Sequence, residues 1–344
     1  DTMSLNNRIK SLFWKIDDSN RGLLHEKSVK PFERHALNFE DDRVNDAVGH
    51  HNTKWFHNEI AVKVKATVEP QYGYAVEGLR ILVGTSIRTR ENLPSPISML
   101  KAHFMSQRKT LKKAILFDGS MGINYFHFLS DVLHKIYLLE QHTEIDCPLL
   151  VGTQVYNKSF FQFLIKDSEL SKYDWQPIDQ PILVDELYVA RPLPYKAEYW
   201  SRTKQLFIKQ DSVPKEPKAI FINRKGTRRI TNFDVIKPIL SEFQIEEIDP
   251  GNLNVREQAQ LFNSATHVIG IHGAGMTNVM FCNYETVRVL ELCSNNRIGT
   301  QYYWLCSALG INWNMLLGGI AEPDQSFELN SEEIRKALEK LFFN

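Results

Sequence analysis

Short apolar segments alternate with amphipathic segments along most of this chain, and this alternation limits its fold more than any other feature. A first block spans residues 112–165 and a second block spans residues 219–293. In both blocks, a strand-like apolar segment is followed by a stretch of helical periodicity before the next strand-like segment begins. Strands that alternate with helices of this length predict parallel βαβ units. We therefore expect an α/β fold that contains two Rossmann-like domains.

The boundaries of the expected elements follow from periodicity and segment length. Strands are expected at 60–68, 81–84, 112–119, 147–152, 219–224, 245–249, 266–271 and 287–293. Helices are expected at 122–141, 156–165, 233–243, 254–265, 276–281 and 331–343. The proline- and charge-rich segment 211–218 separates the two blocks, so we place a hinge within 192–218. The predicted domains are 1–195 and 196–330, with the terminal helix 331–344 packing back on the first domain as one option.

Composition narrows the classes of function. Lys+Arg and Asp+Glu both number 41, so the net charge is zero and bulk nucleic-acid binding is not expected. No segment approaches the roughly 18 consecutive apolar residues of a transmembrane helix, and the first twenty residues do not resemble a signal peptide. Because the four cysteines form no CxxC pair, we expect reduced structural thiols at Cys147, Cys282, Cys293 and Cys306.

The segment VIGIHGAGMTNVMF, at 268–281, carries the most informative motif. Gly273 and Gly275 allow the backbone to turn tightly after a strand and to approach a ligand closely. The helix that follows directs N–H groups and a partial positive charge toward that ligand, and Thr277 and Asn278 add polar side chains. The motif is neither GxGxxG nor a Walker loop, so it favours a diphosphate group without indicating a dinucleotide. The alternative is that the glycines serve only turn geometry and packing.

A second anion-binding signal lies in INRKGTRRI, at 222–230, just after another expected strand. Arginine holds phosphate oxygens through two parallel hydrogen bonds, so this cluster is suited to neutralising an anion. The alternative is a solvated basic turn. Glu291 ends a further strand, where a carboxylate commonly accepts hydrogen bonds from ribose hydroxyl groups, and the alternative there is a surface glutamate.

The expected helix 122–141 has an apolar stripe and a second, polar face. Asn124, His127, Asp131 and His134 fall together on the polar face, because residues three or four positions apart are neighbours on a helix. His127 and Asp131 are suited to forming a carboxylate–imidazole pair that takes a proton from a hydroxyl group. The alternative is a solvated face with a fortuitous ion pair.

The histidines of the N-terminal region do not indicate a metal site. They are not accompanied by a supporting spacing of acidic residues, and two of them are adjacent and cannot both face one ion from a regular element. These residues are His25, His35, His50, His51 and His57.

Four segments follow one another along the chain in the order NYFHFLSDVL, INRKGTRRI, HGAGMTN and the strand VLELC. In this combination and order they resemble the family 61 glycosyltransferases. The resemblance covers residues 112–320. It implies a GT-B architecture, in which two Rossmann-like domains face each other across a cleft. It also implies an inverting transfer from a nucleotide-sugar donor, usually UDP-linked, bound in the C-terminal half, without a metal or another cofactor.

The resemblance also implies roles for individual residues. The donor phosphates are expected at Asn223, Arg224, Arg228 and Arg229. The nucleotide site is expected at His272, Gly273, Ala274, Gly275, Thr277 and Asn278, with Glu291 near the ribose. Asp131 is the expected general base, with His127 as its partner or substitute, and Asn124 lies on the acceptor side.

The expected function is thus the transfer of a sugar from a nucleotide-sugar to a hydroxyl group of a glycan or glycoconjugate acceptor. The alternatives are a non-catalytic nucleotide-sugar-binding module and another Rossmann-type enzyme. The partners are a donor and an acceptor glycan, with no nucleic acid. We prefer a cytoplasmic location, expected for a bacterial source, over the secretory lumen expected for a eukaryotic protein with a removed anchor. The sequence does not indicate the role of residues 1–111, the identity of the sugar, the linkage or the oligomeric state.

Overall fold

The computed structural model describes residues 10, 15–17, 22–28, 41–54, 58–78, 80–82, 93, 95, 97, 110–119, 121–193, 196–208 and 216–343. The chain separates into two compact units. The first unit consists of Asp1–Lys30 and Phe56–Pro194, and the second consists of Pro31–Trp55 and Tyr195–Asn344. The segment 31–55, which the sequence placed in the first domain, is thus grouped with the second unit.

The strands of the described residues form one sheet in each unit. In the first unit they are β1 (Lys15–Asp17), β2 (Leu23–Ser28), β3 (Asn58–Glu69), β4 (Tyr74–Glu77), β5 (Arg80–Leu82), β6 (Thr110–Leu116), β7 (Leu149–Gly152), β8 (Trp175–Ile178) and β9 (Ile182–Arg191). In the second unit they are β10 (Lys218–Ile222), β11 (Ile245–Ile248), β12 (Ala265–Ile271), β13 (Arg288–Ser294) and β14 (Asn312–Gly318).

The helices connect and cover these sheets. They are α1 (Asp42–Lys54), α2 (Tyr125–His127, continuing through Phe128–Leu133 and His134–Glu140), α3 (Thr153–Tyr156), α4 (Ser159–Asp167), α5 (Ala197–Phe207), α6 (Phe233–Glu242), α7 (Val255–Asn263), α8 (Gln301–Ala308) and α9 (Ser331–Phe343). Short 3-10 helices occupy Glu169–Lys172, Pro250–Asn252 and Ala274–Phe281. None of the described helices is long and apolar enough to cross a bilayer.

The sheet of the first unit is mixed. Along the described residues its strand order is β1-β5-β4-β3-β9-β6-β7-β8, with β2 paired to β3. The strands β9, β6, β7 and β8 run parallel, as the alternation of strands and helices predicts. The strand β3 is antiparallel to β2, β4 and β9. The α/β class is therefore confirmed, but in this unit helices connect only β6 to β7 and β7 to β8, and β9 joins the parallel strands without a preceding helix.

The sheet of the second unit is parallel throughout, with the strand order β11-β10-β12-β13-β14. The chain moves from β10 to one neighbour, β11, and then crosses back to the other neighbour, β12. Ligands of open parallel sheets bind at such a switch point, beyond the carboxyl ends of the strands. The loops that follow β10 and β12 contain both anion-binding motifs found in the sequence, so this topology brings the two motifs to one edge.

The terminal helix α9 packs on the second sheet. Its buried residues Ile334, Leu338 and Leu341 form one stripe and share a core with Phe221, Leu290 and other residues of the sheet. Apolar residues at positions i, i+4 and i+7 line one face of a helix, which explains this packing. The sequence offered packing on the first domain as one option, and that option stays a prediction. The four cysteines are buried and form no disulfide bond.

Helix α2 contains a π-helical segment, Phe128–Leu133, that changes the face on which later residues lie. His127 and Asp131 stay partly exposed, whereas His134, which we expected beside them, is completely buried. A π-turn holds more residues than an α-turn, so residues after it are rotated about the helix axis. Burial lowers the pKa of His134 to about 3.

The buried His134 predicts an acid-sensitive fold. Between pH 6.5 and about 3, the unfolded chain binds a proton at this residue that the folded chain does not, so stability falls as the pH falls. Replacing it by His134→Phe, which keeps an aromatic ring but cannot titrate, should reduce this slope by up to about 1.4 kcal/mol per pH unit. Urea unfolding of both proteins between pH 7 and pH 5 tests this, and equal slopes would contradict it.

Candidate active site

Two arginines follow β10, and the protein anchors each of them through its Nε atom. Arg224 Nε donates a hydrogen bond to the carbonyl oxygen of Thr227 at 3.1 Å. Arg228 Nε donates to Oε1 of Gln325 at 2.8 Å. An arginine held at Nε still presents its terminal nitrogens as a fork that matches two phosphate oxygens.

These two guanidinium groups are not neutralised by carboxylates of the described residues. Two carboxylates at the end of the neighbouring strand β11 form ion pairs with lysines instead, Asp249 with Lys225 and Glu247 with Lys237. Burial, together with the repulsion of Arg228, lowers the pKa of Arg224 below its usual value. This edge of the sheet thus carries excess positive charge, which an anion would stabilise.

The glycine turn after β12 lies directly against Arg224. A Cβ atom on Gly273 would lie 1.7 Å from Nη1 of Arg224, so any side chain here would displace the guanidinium group from its present position. The backbone of Gly273 is extended, with φ 164° and ψ 173°, and imposes no left-handed conformation. A Cβ on Gly275 would contact Ile222 at 3.2 Å, so this glycine serves close packing, and its approach to a ligand stays a prediction.

His272 is fixed on both sides of its ring. Its Nδ1 lies 2.5 Å from Oε1 of Glu291, and its Nε2 lies 2.9 Å from the side-chain nitrogen of Gln301. The second oxygen of Glu291 accepts a hydrogen bond from Nε1 of Trp313 at 2.9 Å. We expected Glu291 near a ribose, but it is 0% exposed and both oxygens have protein partners. It therefore orients His272.

A cavity of about 290 Å³ opens beside these residues within the second unit. Its lining includes Arg228, His272, Ser294, Arg297 and Gln325, and no aspartate or glutamate of the described chain. The volume is at the lower end of the range for small-molecule sites, about 300–1,000 Å³. The arrangement is therefore suited to a compact anion such as a diphosphate.

Of the eleven expected donor-site residues, Arg228 and His272 line this cavity, and the other nine, Arg224 among them, do not. Thr277 and Asn278 are fully buried because the 3-10 helix turns them into the core, where Asn278 donates to Gln258. Asn223 donates to Glu247 and accepts the N–H of Arg224, which shapes the turn. Arg229 is exposed and is not among the lining residues.

Three polar residues of the cavity, Ser294, Arg297 and Gln325, were not predicted from the sequence, and neither was Gln301. Arg297 follows β13 and Gln325 follows β14, so both reach the same edge through the parallel sheet. A rule that inspects every loop after a parallel strand would have found Arg297. The contact between Arg228 and Gln325 spans 97 positions of the chain and has no local signal.

At the same edge of the sheet, one histidine, one glutamate and one cysteine bring three potential metal-ligand atoms close together. The side chains of His272, Glu291 and Cys293 bring these atoms within 4.8 Å of one another. Glu291 already accepts two hydrogen bonds. Burial and the nearby charge of Glu291 raise the pKa of the Cys293 thiol, which opposes the thiolate that a metal requires. This cluster fits an orienting role for Glu291 better than a metal site.

Among the histidines of the N-terminal region, the structure describes the side chain of His25. Its ring stacks on His142 at 4.1 Å, and its Nε2 lies 3.3 Å from Glu59. The side chains of the others, namely His35, His50, His51 and His57, lie outside the described residues.

A larger cavity of about 800 Å³ lies elsewhere in the second unit, between β14, α9 and the start of α1. Charged residues of both signs line it, including Asp42 and Glu333 as well as Arg43 and Lys336. Cations and carboxylates that alternate in this way do not select an anion. The smaller cavity therefore fits the anion-binding motifs better despite its size.

The first unit presents a separate polar cluster at the start of α2. Nδ1 of His127 lies 2.9 Å from Oδ2 of Asp131, and the Ser130 hydroxyl donates to Oδ1 of Asp131 at 2.6 Å. The side chains of His127 and Asp131 are 14% and 20% exposed. Their pairing is as expected, and the π-helical segment that contains Asp131 is a feature often found at functional sites.

Asn124 caps this helix. Its Oδ1 accepts hydrogen bonds from the N–H groups of Phe126 at 3.0 Å and His127 at 3.4 Å. We expected this residue to face an acceptor, but the oxygen of its amide is committed to the helix terminus. Capping of this kind holds the first turn, and thereby His127, in place.

A buried lysine lies beneath the same cluster. Lys135 contacts the carbonyl oxygen of Asp118, whose carboxylate accepts the N–H groups of Gly119 and Gly152. Burial lowers the pKa of Lys135 and raises that of Asp118, while Asp131 acts on Lys135 in the opposite direction to burial. The ammonium group of Lys135 thus interacts electrostatically with Asp131 as well as with Asp118.

The contact of Gly273 with Arg224 predicts the effect of a single methyl group. In Gly273→Ala the extended backbone accepts alanine, but the guanidinium group must move, so the affinity for inorganic diphosphate should fall about tenfold. The matched variant Gly275→Ala contacts only Ile222 and Pro250 and should keep its affinity. Titration calorimetry on both variants, with thermal unfolding as a check on folding, measures the difference. Equal affinities would remove Arg224 from the site.

Comparisons with known proteins agree with the motifs. The family model described as Glycosyltransferase 61 matches residues 125–289, which include His127, Asp131, Arg224, Arg228 and His272. A stretch of 75 residues is 35% identical to a protein of Oryza sativa subsp. japonica that is named as a beta-1,2-xylosyltransferase. That stretch covers 21% of this chain and 13% of the rice protein, a small part of its length. The resemblance to glycosyltransferase family 61 is therefore confirmed, and residues 125–289 carry the sequence pattern of that family.

Proposed function

We propose that this protein transfers a sugar from a nucleotide-sugar, UDP-linked, to a hydroxyl group of a glycan acceptor, with inversion at the anomeric carbon. The observation that carries the proposal is the pair Arg224 and Arg228, which present unneutralised guanidinium groups at the switch point of a parallel sheet. Both residues lie within the stretch that matches a glycosyltransferase family. The GT-B arrangement of the two units and the cellular location stay predictions.

The second unit is proposed to hold the donor through its diphosphate. When the bond between the anomeric carbon and the phosphate oxygen breaks, the diphosphate leaves with the electron pair and gains negative charge. Arg224, Arg228 and Arg297 are suited to stabilising that charge, because prearranged cations are most effective where charge develops. They supply the positive charge that a divalent ion would otherwise provide, so we propose a transfer without metal.

The first unit is proposed to supply the general base. Asp131 was the expected base, but its two oxygens accept hydrogen bonds from His127 and Ser130. A carboxylate held in this way is suited to orienting the imidazole, whose second nitrogen, Nε2, then accepts the proton of the acceptor hydroxyl. The contacts thus favour His127 as the base and Asp131 as its partner.

The proposed reaction is a single displacement. The acceptor oxygen loses its proton to His127 Nε2 and forms a bond with the anomeric carbon on the face opposite the diphosphate. The bond from that carbon to the phosphate oxygen breaks at the same time, which inverts the configuration. The name of the rice relative makes UDP-xylose the first donor to test. A binding module without catalysis is the alternative, and slow hydrolysis of the donor would argue against it.

The donor site predicts binding without metal. UDP should bind in the presence of EDTA, and Arg228→Ala should weaken its binding by about tenfold or more, since hydrogen bonds to charged groups contribute about 1.5–3 kcal/mol each. Lys237→Ala removes an exposed lysine that is paired with Glu247 and serves as the control. Calorimetry measures all three affinities. Loss of binding in EDTA would disprove the metal-free assignment, and unchanged binding by Arg228→Ala would disprove the phosphate site.

The acceptor side predicts two unequal effects on turnover. His127→Gln should lower kcat by about 10²–10⁴-fold because the proton acceptor is lost, and Asp131→Asn should lower it by a smaller factor because only orientation is lost. Neither change should alter the affinity for UDP. Turnover and affinity measured on the same preparations separate chemistry from folding. The reverse order of the two effects would make Asp131 the base, and two active variants would exclude this cluster.

A further inference from the structure

We infer that Gln325 is a positioning residue that sets the guanidinium group of Arg228 for the donor diphosphate, an inference that rests on the proposed function. Gln325 lies outside the stretch 125–289 that matches the family. It belongs to the loop that follows β14, far in sequence from every motif of the site. It lines the same cavity as Arg228, Arg297 and His272.

The contact between the two side chains is directional. Oε1 of Gln325 accepts the Nε–H of Arg228 at 2.8 Å, so it binds the inner nitrogen of the guanidinium group rather than the terminal fork. A neutral amide oxygen orients the arginine without cancelling its charge. A glutamate at this position would form an ion pair with the same group and compete with phosphate.

The backbone holds both residues in an unusual conformation. Arg228 has φ 64° and Gln325 has φ 70°, and among the described residues only Gln244 is a further non-glycine residue with positive φ. Left-handed backbone is unfavourable for residues with a Cβ atom, and it persists where the surroundings enforce it, often at functional sites. Because two such residues are in direct contact, we infer that the surrounding structure holds this pair in place despite the unfavourable backbone conformation of both residues.

Backbone hydrogen bonds join the two loops around the pair. The N–H of Arg228 donates to the backbone carbonyl oxygen of Asp324 at 3.1 Å, and the N–H of Phe327 donates to that of Arg229 at 3.0 Å. Within its own loop, the N–H of Gln325 donates to Glu322 at 2.8 Å. The loop 322–327 is therefore anchored on the arginine segment, so the amide of Gln325 is presented from a fixed backbone.

Glycine at position 325 separates positioning from structure. Gln325→Gly removes the amide but suits the left-handed backbone, so the unfolding temperature should stay unchanged or rise. The affinity for UDP should nevertheless fall about tenfold, because Arg228 loses the acceptor that orients it. A residue that served only the fold would not combine undiminished stability with weaker binding.

Gln244→Gly is the matched control. Gln244 also has positive φ, at 56°, but it is exposed and lies between α6 and β11, at the opposite ends of the strands. This variant should have the same change in backbone preference and bind UDP like the wild type. Weaker binding by both glycine variants would overturn the inference, since the loss would then not depend on the contact with Arg228.

Coupling to Arg228 completes the test and separates two kinds of failure. Calorimetry with UDP should show that Arg228→Ala and the double variant Arg228→Ala/Gln325→Gly bind equally weakly. Additive losses in the double variant would overturn the positioning role. If Arg228→Ala weakens binding while Gln325→Gly does not, the inference fails and the proposed function stands. If Arg228→Ala binds UDP normally, the proposed phosphate site itself fails.

Discussion

The carboxyl edge of the second sheet depends on a carboxylate that is completely removed from water. Glu291 on β13 joins His272, which follows β12, to Trp313 on the edge strand β14. Burying a carboxylate without partners is costly, so its two hydrogen bonds must be kept for the edge to be stable. With Glu291 in place, the ring of His272 is fixed, and Gly299 packs against that ring so closely that a Cβ would clash.

The positive charge at this edge follows a different logic. Arg224 and Arg228 repel each other and have no carboxylate partner among the described residues, which opposes stability of the unliganded protein. The same feature favours an anionic ligand, because the ligand relieves the repulsion. The left-handed backbone at Arg228 and Gln325 further opposes the stability of the unliganded protein. The hydrogen bonds between their two loops offset this unfavourable conformation. Stability and ligand binding therefore make opposite demands on these residues.

In the first unit, the irregular helix α2 positions the polar side chains of the candidate site. The cap at Asn124 and the π-helical segment Phe128–Leu133 leave His127 and Asp131 partly exposed while the following residues are buried. Lys135 and Asp118 beneath them are charged groups in the interior, and each is hydrogen-bonded. His127 and Asp131 are thus held in place by the Asn124 cap at the start of the helix, and the buried Lys135 interacts electrostatically with Asp131.

The sequence by itself determined the elements whose signal is local. Alternating apolar residues predicted β3, short apolar segments predicted the four strands β10 to β13, and a helical pattern predicted α9. Because parallel strands end at one edge, it also indicated that Arg224, Arg228 and His272 lie at that edge. Only the tertiary structure decided that Glu291 faces inward, since a strand buried on both faces has no alternation to show direction. The partnership of Arg228 with Gln325 was decided in the same way, because a hydrogen bond across 97 positions depends on how the sheet brings distant loops together and leaves no trace in the spacing of residues.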